Sequence, residues 1–232
     1  MMTTDCFHHQ VLGLWNSTIV IFWGDHGWKL GHHGAWAKHT NFQEDTLAPV
    51  LLRIPGLTDG GLVSHALVEH VDIMATLIEA AGLPPVPVCP VAKPWKTPLC
   101  TEGTSMMPPI KNPTRAWKNA NYSQYPRKGS PPKTTPKIMA TRCASSRCAS
   151  PRGSTSIASG TRRQDHAIET TWTMDQKDCG FELYNLTADP LENRNLAYHD
   201  GMQQKVKMHF EQLKAGWRAT ASALPSAAMV VA

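Results

Sequence analysis

A short loop rich in histidine and glycine contains the residues of this chain that are best suited to chemistry. Asp25 and His26 come directly after an apolar run, and Lys38 follows twelve residues after His26. A carboxylate offers a hard oxygen ligand and an imidazole a nitrogen ligand, so the pair can hold a metal ion. The ammonium of Lys38 can meet an anion as a point charge. The loop therefore predicts a metal or anion site, and the alternative is a capped turn with surface histidines.

The elements around this loop are expected to place it at the edge of a sheet. Thr18 to Trp23 has the β-branched and aromatic residues of a buried strand, and Ala48 to Pro55 predicts a second one. Open α/β sheets bind ligands at the carboxyl ends of their strands. Gly27, Gly31 and Gly34 would let the backbone pass close to whatever binds there.

Two helices and a further strand complete the expected α/β architecture. Apolar residues recur at helical spacing from Val68 to Ala81, and Gly82 with two following prolines ends that helix. Gln203 to Arg218 predicts an amphipathic helix, and Leu183 to Leu186 a short strand. The face predicted for the first helix comprises Val71, Met74, Leu77, Ile78 and Ala81, and that for the second comprises Val206, Phe210, Leu213 and Trp217.

Charge and hydropathy exclude two classes of partner. The 232 residues have a formal net charge of +5, and five arginines between Ala140 and Arg163, a stretch without acidic residues, account for it. Because no basic face extends over a domain, nucleic acid is not an expected partner. No apolar run approaches the roughly 20 residues of a membrane span.

The sequence gives two indications of cellular compartment. It begins without the basic and apolar regions of a signal peptide. It nevertheless contains three glycosylation sequons, at Asn16, Asn121 and Asn185, which favour a secreted or lysosomal protein. Together these observations predict that the natural amino terminus is missing.

The loop as a whole resembles the sulfatase family of the alkaline-phosphatase superfamily. The resemblance rests on Gly24-Asp25-His26-Gly27-Trp28, with Gly31, His33-Gly34, Trp36 and Lys38 at their spacings. It implies that Asp25 and His26 ligate an active-site calcium, that Lys38 contacts the sulfate and that Trp28 lines the sugar pocket. It also implies part of an alkaline-phosphatase-like α/β sandwich, in which helices pack on a mixed sheet, with a small carboxyl-terminal antiparallel sheet and helix. One position differs, since the family usually has an acid where His32 stands.

Two other stretches resemble the branch of the family that acts on uronic acids of glycosaminoglycans, and a third resembles sulfatases in general. Asn121 to Arg127 matches the edge of its substrate-binding side, which suggests that Tyr125 and Arg127 meet an acidic sugar, with packing as the alternative. A cysteine pair at the spacing of Cys89 and Cys100 implies a disulfide, and two free thiols are the alternative. Phe181 to Leu196 resembles the carboxyl-terminal strand and turn.

The resemblance divides the chain into four parts. Residues 1–15 do not match, 16–136 correspond to the carboxyl-terminal part of the catalytic domain, and 181–232 form the carboxyl-terminal strand, helix and tail. Residues 137–180 are anomalous and basic, because the family has aromatic-rich strands where the stretch from Ala140 to Arg163 has low complexity and no aromatic residue. A disordered linker and a reading-frame error both account for that stretch.

The function implied is calcium-assisted hydrolysis of sulfate esters on glycosaminoglycan uronic acids, in a lysosomal or secreted enzyme. Sulfatases need a Cys or Ser in Cys/Ser-x-Pro-x-Arg, which becomes the formylglycine nucleophile, and no residue of this chain fits that pattern. The family's first two metal-binding aspartates belong to an amino-terminal half that is not in these residues. An inactive fragment is therefore expected.

Two other functions remain open. The first is a non-catalytic protein that grips acidic glycans through Trp28, Lys38 and Arg127. The second is a zinc phosphohydrolase of the same superfamily that uses His26, His32 and His33, which the match at Trp36 and Lys38 disfavours.

Overall fold

The computed structural model describes residues 8–92, 96–126, 138–145, 160–164, 167–170 and 181–222, with side chains at 8–92, 96–123 and 181–219. The chain forms two compact units. The first consists of Met1–Asp25 and Pro49–Ala116, and the second of His26–Ala48 and Trp117–Ala232. No helix in the described ranges combines the length and apolarity needed to cross a membrane.

The first unit contains the two predicted strands as an antiparallel pair. Strand β1 (Val20–Trp23) pairs with β4 (Val50–Arg53), with Val20 opposite Arg53. The prediction that these segments are neighbours is confirmed, but the prediction that they are buried is wrong in part, because Phe22, Trp23 and Leu51 are exposed. Phe22 and Leu51 line an open apolar groove of about 400 Å³, so no closed layer covers them.

The predicted helix of the first unit forms, but it turns a different face inward. Helix α2 (Val71–Ala80) buries Asp72, Ile73 and Thr76, whereas Val71 and Met74 are exposed. The Asp72 carboxylate accepts hydrogen bonds from the backbone N–H groups of Glu69 (2.9 Å) and Thr104 (2.8 Å). The Thr76 hydroxyl accepts one from the N–H of Met106 (2.8 Å). These bonds to the 104–106 segment, rather than the apolar stripe, decide which face is covered.

The segment that leads into this contact is closed by a disulfide. Cys89 and Cys100 are bonded, with S–S 2.06 Å, and the backbone of Cys89 and Thr101 is hydrogen-bonded at 3.1 Å. Helix α3 (Met107–Lys111) follows. Two of the buried apolar residues of this unit, Met106 and Met107, lie where the segment meets that helix.

The second unit has an antiparallel sheet covered by a helix. Strands β5 (Ala120–Pro126), β6 (Ile138–Ser145), β7 (Gly160–Gln164) and β8 (Ala167–Thr170) pair in that order, and helix α4 (Gln203–Ser222) contacts β5 and β6. A disordered linker throughout Ala140 to Arg163 is therefore the wrong interpretation for the strands described there, and the rest of that stretch lies outside the described residues. The core of the unit comprises Ala120, Phe181, Leu183, Ala197, Val206, Phe210 and Leu213.

Helix α4 confirms most of its predicted face. Val206, Phe210 and Leu213 are buried, but Trp217 is exposed, which corrects the prediction for that residue. The cause is Gly216, whose φ of 76° interrupts the helical backbone just before Trp217 and changes the direction in which the chain continues.

The predicted strand at Leu183–Leu186 does not form. The N–H of Leu183 donates to the side-chain oxygen of Asn195 (3.0 Å), whose amide nitrogen donates to the carbonyl of Phe181 (3.0 Å). One side-chain amide thus satisfies backbone groups that a neighbouring strand would otherwise pair with. Leu183, Tyr184 and Leu186 are therefore buried without forming a strand.

We predict that Gly103→Ala destabilises the first unit. A Cβ at this position would lie 1.9 Å from the carbonyl oxygen of Val71, so the backbone would have to shift. Overpacking of this kind costs about 1–3 kcal/mol. Urea unfolding should show this loss for Gly103→Ala but not for Gly60→Ala, since Gly60 has open space around it. Equal stability of the two variants would contradict the contact.

Candidate active-site loop

The loop from His26 to Ala48 is organised around a buried lysine. Lys29 lies in strand β2 (Lys29–Leu30), which pairs with β3 (Trp36–Ala37), and only 1% of its surface is exposed. Its Nζ donates to the Thr40 hydroxyl (2.9 Å) and forms an ion pair with the Asp45 carboxylate. The same carboxylate oxygen accepts hydrogen bonds from the N–H (2.8 Å) and the hydroxyl (2.6 Å) of Thr40.

The environment of Asp45 keeps it charged. Burial by itself would raise the pKa of this carboxyl, but the hydrogen bonds from Lys29 and Thr40 outweigh burial and hold the pKa below its usual value of 3.8. Because the pKa is lowered in the folded state, the resulting stabilisation is present above about pH 4 and is lost as the pH falls through the folded-state pKa.

Two further contacts fix the far side of the loop. Glu192 is buried against helix α1 (Gln43–Thr46). Its carboxylate accepts a hydrogen bond from the N–H of Gln43 (2.6 Å). Gly27 packs directly on this helix, since a Cβ on it would lie 1.7 Å from the carbonyl oxygen of Glu44. Gly27 thus permits a close approach between two backbone segments, and the expected approach to a bound ligand stays a prediction.

The predicted metal ligands occupy different settings. Asp25 is exposed and ends the first unit, whereas His26 is half-buried and begins the second. The Nδ1 of His26 lies 2.7 Å from the carbonyl oxygen of Gly27, so it must carry the proton and donate it. This leaves Nε2 as the nitrogen with a lone pair for a ligand.

The predicted sulfate and sugar contacts lie on the same loop as His26. Trp28 is 58% exposed, and its ring stacks on His26 with centroids 6.0 Å apart. Lys38 is half-buried just after β3. Arg127, the third proposed substrate contact, lies outside the described residues, and Tyr125 is described in its backbone alone.

The three sequon asparagines are spread over both units. Asn16 is exposed in the 3-10 turn Trp15–Ser17, and Asn121 is half-buried in β5. Asn185 is half-buried and its side-chain oxygen accepts a hydrogen bond from the N–H of Thr187 at 3.1 Å. Their glycosylation remains a prediction.

Sequence reasoning missed Lys29, Asp45 and Glu192, which support the loop. A lone lysine or acid in sequence is typical of a solvated surface, and the partners are distant in sequence. Sequence reasoning also did not connect Glu44 with His32 and His33. Among the described residues, Glu44, His32 and His33 form the group of potential metal ligands whose ligand atoms all lie within 4.8 Å of one another. Asp25 and His26 do not belong to this group.

Comparison with known proteins shows which family the loop is similar to. The Sulfatase family model matches residues 4–83, a range that spans Asp25 to Lys38. This part of the chain is similar to the sulfatase family. The predicted resemblance to sulfatases is confirmed.

Two curated sulfatases extend the match. Iduronate 2-sulfatase of Mus musculus is 34% identical over 152 residues, which cover 50% of this chain and 27% of the relative. The enzyme of Homo sapiens is also 34% identical, over 155 residues that cover 53% of this chain and 28% of the relative. The chain thus spans about a quarter of the length of the curated sulfatases it matches.

Solved structures confirm the fold class. A protein crystallised with its substrate D-glucosamine-2-N,6-O-disulfate has a TM-score of 0.65 at 21% identity, covering 96% of this chain and 38% of its own. A phosphonate monoester hydrolase from Silicibacter pomeroyi has a TM-score of 0.63 at 16% identity, covering 94% and 38%. At such identities the likeness shows the alkaline-phosphatase-like sulfatase fold, and substrate has to be argued from residues.

We predict that Asp45→Asn destabilises the second unit by about 3–5 kcal/mol at pH 7, because it leaves the Lys29 charge buried and without its counter-ion. The loss should shrink as the pH falls below 4, where the native carboxyl also becomes protonated. Urea unfolding from pH 7 to pH 2 measures both effects.

The pair of Arg53 with Asp59 supplies the control, since its partners are 3.1 Å apart and half of the Asp59 side chain is exposed. Asp59→Asn should change stability by no more than about 1 kcal/mol. An Asp45→Asn loss as small as that of the control, or independent of pH, would mean that the buried pair does not hold the loop.

Proposed function

We propose that this chain is the carboxyl-terminal part of a sulfuric ester hydrolase that acts on sulfated uronic acids of glycosaminoglycans. The observation that carries the proposal is the 34% identity with two iduronate 2-sulfatases over about 150 residues. The matched loop keeps Asp25, His26, Trp28 and Lys38 at the family's spacing.

Calcium is the cofactor that we propose for the loop, with Asp25 and His26 as its ligands in this chain. The Asp25 carboxylate supplies the oxygen that calcium prefers, and the His26 ring would add one nitrogen to a shell that oxygens otherwise fill. The hydrogen bond from Nδ1 to the Gly27 carbonyl orients this ring in the way that outer-shell bonds orient metal-ligating histidines. Calcium takes six to eight ligands, so these two residues provide a small part of the shell. When bound, calcium polarises the sulfate group.

The other loop residues serve binding and charge. We assign to the Lys38 ammonium a contact with the sulfate oxygens, where its charge favours the negative group and the charge that develops on reaction. The exposed face of Trp28 offers a stacking surface for a sugar ring, and His26 supports the indole from the other side. Arg127 is proposed to meet the uronic acid carboxylate.

A lysosomal or secreted location accompanies this proposal. The disulfide between Cys89 and Cys100 is typical of an oxidising compartment. The exposure of Asn16 within its sequon is consistent with glycosylation there.

We predict that Lys38→Ala weakens binding of a sulfated uronic acid disaccharide to the 232-residue chain in calcium-containing buffer by about 10- to 100-fold. The basis is the roughly 1.5–3 kcal/mol of a hydrogen bond to a charged group. Isothermal titration calorimetry measures the change, and Lys207→Ala is the control, because Lys207 is exposed on α4. Equal affinities for the two variants would remove Lys38 from the binding site.

We also predict that the 232-residue chain does not hydrolyse an aryl sulfate, even with calcium and the formylglycine-generating enzyme. Its sequence has no Cys/Ser-x-Pro-x-Arg, and a positioned charge accelerates only a step that has a nucleophile. A colorimetric assay tests this, and turnover that Asp25→Ala abolishes would contradict it. Disaccharide binding without turnover, unaffected by calcium or by Asp25→Ala, would instead favour the non-catalytic glycan-binding function.

A further inference from the structure

A second group of metal-binding side chains lies within the same loop. His32 and His33 follow strand β2, and Glu44 belongs to helix α1; each offers one ligand atom, and these atoms all lie within 4.8 Å of one another. None of the three has a role in the calcium and sulfate chemistry described above. We propose that His32, His33 and Glu44 form a binding site for zinc.

The backbone explains why two consecutive histidines share one site. In an extended strand, successive side chains point to opposite faces. Here Gly31 has a φ of 105° and His33 a φ of 52°, both in the left-handed region, so the chain coils tightly between β2 and β3. The two imidazole centroids are consequently only 5.1 Å apart.

Neighbouring contacts hold the three side chains in place before any ion arrives. The His33 ring lies flat on Phe42, with centroids 3.8 Å apart and planes within 1°. Nδ1 of His32 contacts one carboxylate oxygen of Glu44. Glu44 itself sits between Gln43, which binds Glu192, and Asp45, which binds the buried Lys29. A preorganised set of this kind loses little freedom when it binds a metal.

The atoms that remain point to a cation. Nε2 of His33 and Oε2 of Glu44 are buried, and neither has a hydrogen-bond partner among the described residues. Buried polar atoms are nearly always satisfied, so this pair requires an explanation. An ion pair between His32 and Glu44 leaves both atoms unsatisfied, whereas one metal ion accepts a lone pair from each of them.

Ligand chemistry and charge favour zinc over calcium at this position. Two imidazole nitrogens and one carboxylate oxygen are a known zinc set, with the fourth tetrahedral position open to water or an anion, whereas calcium prefers an all-oxygen shell. The Glu44 carboxylate contributes one negative charge to the site. The nearest buried cation, Lys29, is neutralised by Asp45.

Isothermal titration calorimetry of the 232-residue chain with zinc tests the site. We expect one tight zinc ion for this site, a rise in the melting temperature on zinc addition, and, with cobalt in place of zinc, the visible absorption of a four-coordinate ion. His33→Ala and Glu44→Gln should each weaken zinc binding by at least about 10-fold, the lower end of the loss when only an outer-shell partner is removed. His65→Ala is the control, because His65 is exposed in the first unit.

Circular dichroism of each variant without zinc establishes that it is folded. If His33→Ala does not fold, Glu44→Gln decides the outcome, because it keeps the size of the side chain. Zinc affinity that is the same in Glu44→Gln as in the parent chain would overturn the proposal and leave the pair of His32 and Glu44 as an ion pair. Asp25→Ala distinguishes this site from the proposed calcium site, because it should leave zinc binding unchanged. Loss of zinc binding in Asp25→Ala, with zinc binding kept in Glu44→Gln, would also overturn the proposal. Because calcium and sulfated disaccharide binding are measured on other residues, either inference can fail alone.

Discussion

The ion pair between Lys29 and Asp45 is the constraint on which the loop from His26 to Ala48 depends. A charged ammonium with 1% of its surface exposed is tolerated only if its charge is neutralised and its donors are used. A single carboxylate oxygen does this for Lys29 while also binding Thr40 twice. Residues that are 16 apart in sequence are therefore joined at one buried point.

This arrangement separates support from chemistry. The loop has only two strands of two residues each, so its backbone ladder is too short to define a shape without help. The buried polar network fixes the shape of the loop instead. The residues suited to binding are exposed, with 58% of the Trp28 surface and 71% of the Trp36 surface accessible. The same network aligns helix α1, and with it Glu44. One buried pair thus underlies both the proposed sulfate contacts and the proposed zinc ligands.

Periodic apolar patterns in the sequence predicted where helices and strands form better than they predicted which of their residues are buried. The pairing partners β1 and β4, helix α2 and most of the buried face of α4 follow from local patterns, which neighbours in sequence determine. The errors arise where a distant polar group decides the outcome: Thr104 turns Asp72 inward, and Asn195 takes the place of a strand partner for Leu183. The motif from Asp25 to Lys38 identified the loop, but Lys29 within it was missed because its partner lies well beyond the motif.

The hydrogen bond between Gln43 and Glu192 joins residues 149 positions apart, which bears on how the protein is made. At synthesis rates of about 5–20 residues per second, the carboxylate that caps this helix emerges roughly 7 to 30 seconds after the helix itself. During that interval the loop from His26 to Ala48 can form its local lysine–aspartate pair but not its hydrogen bond to Glu192. Ribosome-bound chains therefore carry this loop without its Glu192 anchor until residue 192 has been translated, which gives chaperones a period of access to it.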